Sequence, residues 1–218
     1  MASLKDNTTV AEFHPETPDY PEPPRSYSWQ EVWTLAISRP SEALFRNLLN
    51  DPRATANRGV LWLLLAGFIN GLVTTVVVNQ SLPVIAQQQQ LPATSLSLLE
   101  ILFVSLFLGP ILVFAATLIV GVYHMVARFL GGEGLFADLF YLYASYTAPL
   151  FILLAAITVA PLPDGLKSIL SFIWGVYQFI LSAIVIRAVY RLDWLKVVAI
   201  AFLVPFILGL FLQMIVPL

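Results

Sequence analysis

The 218-residue chain has no cysteine, two histidines and few charges, with Asp, Glu, Lys and Arg making up only 11% of it. Without cysteine there is no disulfide, no thiolate metal site and no cysteine nucleophile. His14 lies in a polar stretch near the N-terminus and His124 in an apolar one, and neither has a second ligand at metal-binding spacing. The alternation of apolar and polar residues that marks strands is also missing, which excludes a barrel. The N-terminus does not open with a basic segment followed by a short apolar one, so no cleavable signal peptide is expected.

What the chain has in quantity is apolar surface, at 59% hydrophobic residues, and it comes in long runs. Each run is roughly 20 residues, which at ~1.5 Å per residue matches the ~30 Å hydrocarbon core of a bilayer. The pattern predicts an all-α, polytopic integral membrane protein with five transmembrane helices, preceded by short interfacial amphipathic helices. The membrane domain covers 58–218, with spans at about 59–78, 98–126, 139–159, 166–186 and 195–216. The polar segment from Asn79 to Ser97 reads as a loop. The second run is too long for one perpendicular crossing, and counting ~20 residues back from Val126 leaves Glu100 above the hydrocarbon and Gly109-Pro110 in the first embedded turn. No other carboxylate then falls inside a span, and ion-coupled transport lacks the intramembrane ionisable group that it usually needs.

Residues 1–27 carry five prolines between Pro15 and Pro24 together with Glu12, Glu16, Asp19 and Glu22, the composition of a disordered, acidic, proline-rich tail. Residues 28–57 hold two short amphipathic helices. Ser28 and Glu31 form a capping-box pattern, and Trp29, Val32, Trp33, Ala36 and Ile37 recur on one face until Pro40 breaks the run. Trp29, Trp33, Arg39 and Arg46 are the residues expected at the membrane interface, either in the headgroup layer or where these helices pack on the cytosolic face of the membrane domain. With a cytosolic N-terminus, ten of the eleven basic residues fall on the cytosolic side, and only Lys167 lies on the other. That bias predicts N-in, C-out.

Gly131-Gly132-Glu133-Gly134 lacks the strand and the Lys-Ser/Thr of a phosphate loop, and reads as a tight turn that uses positive φ. Counting along each span puts Asn70, Pro149, Gln178 and Pro205 in one layer near mid-bilayer. Such a layer suits either a pocket between interrupted helices or interhelical hydrogen bonds and kinks. The pairs Thr117/Gly121 and Ser171/Gly175 have the spacing of close helix contacts.

Four stretches, "SWQEVWTLAISRPSEALFRNL", "LGGEGLF", "YLYASYTAP" and "SFIWGVYQF", give the chain its likeness to a known family. It resembles the Ypt-interacting-protein (YIP) membrane family, particularly its prokaryotic branch. The resemblance implies five spans, a cytosolic N-terminus and no catalytic residue. Eukaryotic members are associated with Rab-type GTPases and carry an Asp-Leu-x-Gly-Pro signature. Here the match is Leu106-Phe107-Leu108-Gly109-Pro110, without the acidic residue, which weighs against a small-GTPase partner and favours a prokaryotic cell membrane. The expected function is a non-enzymatic membrane-organising factor or accessory subunit, with a small transporter or lipid-handling protein as the alternative. No cofactor, metal or nucleic acid is expected; the expected partners are membrane lipids and either a protein partner or a second copy of the chain.

Overall fold

The computed structural model describes residues 25–88 and 95–215. These form seven helices: α1 (Trp29–Ser38), α2 (Glu42–Leu49), α3 (Ala56–Gln88), α4 (Leu98–Phe129), α5 (Phe136–Val159), α6 (Asp164–Tyr190) and α7 (Trp194–Ile215). No strand occurs among the described residues. Four stretches, Ala56–Pro83, Leu98–Phe129, Phe136–Val159 and Asp164–Tyr190, are long and apolar enough to cross a membrane, and in α7 the run Trp194–Ile207 is apolar but shorter.

The bundle is arranged around α5, which touches α1, α2, α3, α4 and α6. Every residue from Leu139 to Ala148 is buried, including Tyr141, Tyr143, Ser145, Tyr146 and Thr147. The outward faces are the apolar ones: Phe103, Phe107 and Phe114 of α4 and Phe172 of α6 are all exposed. Polar groups in the middle and large apolar groups outside is the distribution expected of a solvent made of hydrocarbon.

The tightest helix contact lies between α3 and α4. A Cβ added to Gly67 would stand 2.7 Å from the Cα of Gly109, and one on Gly109 would stand 2.8 Å from the Leu64 carbonyl oxygen. The pairs expected from spacing, Thr117/Gly121 and Ser171/Gly175, are not contacts of this kind. A Cβ on Gly121 or on Gly175 meets nothing within 4 Å. Spacing shows that two small residues share a face, but not whether that face meets a helix.

One further expectation changes. The segment after Asn79 is helical as far as Gln88, with Pro83 inside the helix, and Asn79 holds Leu96 by accepting from its N–H at 2.6 Å and donating to its carbonyl at 3.3 Å. Helix α4 starts at Leu98, as expected from the sequence, behind a Ser97/Glu100 capping box, and carries Pro110 inside it. The glycine turn behaves as read. Gly131 has φ of 92°, Gly131 N–H donates to Arg128 O at 3.1 Å, and Gly132 N–H to Ala127 O at 2.9 Å, which closes α4 with a Schellman motif.

Gly67→Val is expected to cost about 1–3 kcal/mol or more, because its branch meets backbone that cannot yield. The readout is Tm in detergent, with Gly175→Ala as the control that meets open space. Equal melting of the two variants would contradict the contact.

Candidate functional site

The four mid-depth residues divide into two groups. Asn70 Nδ2 donates to Phe151 O at 3.1 Å, and from the other side Trp174 Nε1 donates to Leu150 O at 3.2 Å. Both carbonyls lie just beyond Pro149 in the chain. Asn70 thus ties α3 to α5, and Trp174 ties α6 to α5, with an interhelical bond of this kind worth ~0.6–2 kcal/mol.

Gln178 and Pro205 belong to a different feature, a chamber of about 920 Å³ between α4, α6 and α7. Its wall is apolar except at Tyr123, Tyr143, Gln178 and Ser182. Tyr123 and Tyr143 are almost fully buried, at 3% and 6% exposure, so they form its floor. Ser182 Oγ donates to Gln178 O at 2.9 Å and shares a hydrogen bond with the Tyr146 hydroxyl at 2.8 Å. These four residues therefore do not line one pocket: Asn70 braces α5 just past Pro149, and Gln178 and Pro205 line the chamber.

The N-terminal helices pack on the bundle. Val32 and Ala36 of α1 and Phe45 and Leu48 of α2 are fully buried, α1 against α5 and α2 against α5 and α6. Ser28 N–H donates to Glu31 Oε2 at 2.8 Å and the Ser28 hydroxyl accepts from Glu31 N–H at 3.2 Å, which completes the capping box and holds the Glu31 carboxyl below the usual carboxylate range. Trp33 faces inward, in a ladder of rings running Trp29, Trp33, Trp62, Tyr141 with centroids 5.0, 6.0 and 5.5 Å apart. Trp29 and Arg39 are exposed, and Arg46 pairs with Glu42, which also accepts from Arg187 Nε at 2.9 Å.

Both ends of this helical hairpin are pinned at one point. The buried carboxylate of Asp51 accepts from Arg58 Nη1 at 3.1 Å, Tyr27 N–H at 3.2 Å and Arg53 N–H at 2.9 Å. Arg58 Nη2 in turn donates to Tyr27 O at 2.9 Å, and its guanidinium stacks over Trp62. The other end of α1 lies far from that pin, where the Tyr177 hydroxyl donates to Ile37 O. Tyr177 is the middle residue of α6, ten residues before Arg187, or about 15 Å along the helix axis. The hairpin's tip is thus tied to α6 at two levels, by Tyr177 to Ile37 and by Arg187 to Glu42.

A family model described as the Yip1 domain matches residues 35–216, from within α1 through α7. The chain belongs to the Yip1-domain family. No curated protein and no solved structure matches it. The match and the long apolar helices together make the chain an integral membrane protein.

In this Yip1 domain the residues that sequence reasoning passed over are Asp51, read only as a helix end, and Tyr123, Tyr143, Tyr177 and Ser182. One signal was available for α5: it is the span where tyrosine, serine and threonine concentrate, which marks the helix that must be wrapped by the others. Nothing in the sequence paired Tyr177 with Ile37, 140 residues away.

Asp51→Ala leaves Arg58 without its carboxylate and should cost about 3 kcal/mol, the lower end for breaking a buried ion pair. In hydrogen exchange, amides of Trp29–Leu49 should lose protection while those of α5 keep it. Unchanged protection in α1 and α2 would contradict the pin.

Proposed function

We propose that this Yip1-domain protein is a non-enzymatic organiser of its membrane, acting through a helical wedge set into one leaflet. The observation that carries the reading is the bond from Tyr177 to Ile37, which joins the end of α1 to the midpoint of α6 while the hairpin's base stays at Arg58. A hydrocarbon core of ~30 Å centred on α6 would place the Ile37 end inside the acyl chains, even allowing for the reach of the phenol. The hairpin then adds helix cross-section to that leaflet. Arg39, exposed just beyond Ile37, either snorkels outward or draws water and headgroups down to itself. Either response disturbs lipid packing.

In this reading the membrane domain has five spans, α3 to α7, with the N-terminus in the cytoplasm of a prokaryotic cell. The grouping of cations supports that orientation. Arg58 binds Tyr27, Arg187 binds Glu42 and Lys196 Nζ donates to Leu130 O, so all three lie at the hairpin's end of the bundle, whereas Lys167 donates to Thr158 O at the other end. The exposed phenylalanines of α4 offer a surface to lipid or to a partner helix, which suits an accessory role in a larger assembly.

Reconstitution of the full chain into phosphatidylcholine/phosphatidylglycerol vesicles tests the proposal. Electron cryomicroscopy should show vesicles narrowing as the protein-to-lipid ratio rises, with Asp51→Ala less effective. Vesicle diameters that stay constant across the series would contradict it.

A further inference from the structure

The chamber has a chemical signature of its own, independent of the wedge. Its rim includes Phe114, Phe202 and Phe206, all exposed to the surroundings of the bundle, and its floor is polar. Along α4 it extends from Ile111 to Tyr123, twelve residues or about 18 Å. No Asp, Glu, Lys, Arg or His lines it. Of the floor groups, Ser182 is already engaged by Gln178 O and Tyr146. The hydroxyls of Tyr123 and Tyr143 and the side-chain amide of Gln178 are neutral donors and acceptors, with Gln178 beside Tyr143 and Ser182 beside Tyr123. Beside Tyr143 stands the buried hydroxyl of Thr147.

An ionised head in this place would be removed from water with no counter-charge to meet it, which is costly. An uncharged hydroxyl or carbonyl could bond to the floor at no such cost. The volume is that of a site for one small amphiphile, and the long apolar wall suits a hydrocarbon tail. We propose that the chamber binds an uncharged lipid, with a hydroxyl or carbonyl of its head on Tyr123, Tyr143 and Gln178 and its tail along α4 and α7.

Two probes with the same tail separate head from chain: 1-oleoylglycerol, which is neutral, and 1-oleoylglycerol 3-phosphate, which is charged. Native mass spectrometry of the full chain in detergent should show one 1-oleoylglycerol retained at least about tenfold more tightly than the phosphate ester, a difference of 1.4 kcal/mol. Gly175→Leu puts a side chain into space that is empty in the chamber wall and should abolish the adduct with little change in Tm. Gln178→Leu, which keeps the volume and removes the amide, should weaken the neutral lipid and narrow the gap between the two probes. Equal retention of both probes, tighter binding of the phosphate ester, no adduct at all, or an adduct unaffected in both variants would overturn the proposal.

Discussion

Everything in this molecule depends on the polar residues of α5 being enclosed by other helices. In hydrocarbon no water is available to satisfy Tyr141, Tyr143, Ser145, Tyr146 and Thr147, so the bundle must wrap the segment that carries them. Helix α3 packs along one side through small residues, and α6 closes the other with Trp174 and Ser182. Beyond Pro149, the Leu150 and Phe151 carbonyls also take side-chain donors from both neighbours. The exposed surface that results is almost wholly apolar, which is what a lipid environment requires.

The hairpin follows from the same constraint. A bundle of α3 to α7 alone would leave the Leu139–Tyr143 end of α5 uncovered, and α1 and α2 cover it with Val32, Ala36, Phe45 and Leu48. The Asp51–Arg58 pair fixes where the hairpin's base sits, and Tyr177 and Arg187 hold its tip to α6. In the proposed reading, the helix that shields the core is also the wedge in the leaflet beside it. Shielding on one side and an open chamber between α4, α6 and α7 on the other leave the protein asymmetric in how it meets lipid.

Much of the fold was legible because length and hydropathy act locally. The runs of apolar residues, the Ser28/Glu31 cap and the positive φ at Gly131 are each set by a few neighbouring residues. The site was less legible because its geometry comes from how helices face one another. Asn70 and Gln178 sit at similar depth by counting, yet one bonds α5 and the other faces the chamber. Gly121 and Gly175 have the same spacing signal as true contacts and make none, while Gly67 and Gly109 make the closest one. Rotation about a helix axis decides these outcomes, and no single span encodes the orientation of its neighbours.

The depth of the hairpin's tip is the claim on which the functional reading rests, and a chain without cysteine allows it to be measured with single labels. Nitroxides at Ser38→Cys, beyond Ile37, and at Asn50→Cys, beside the Asp51 pin, would be compared in bilayers for relaxation by oxygen and by a water-soluble nickel complex. The wedge predicts that oxygen dominates at position 38 and the nickel complex at position 50. Equal access of the nickel complex to both positions would mean that α1 lies at the surface and does not enter the leaflet.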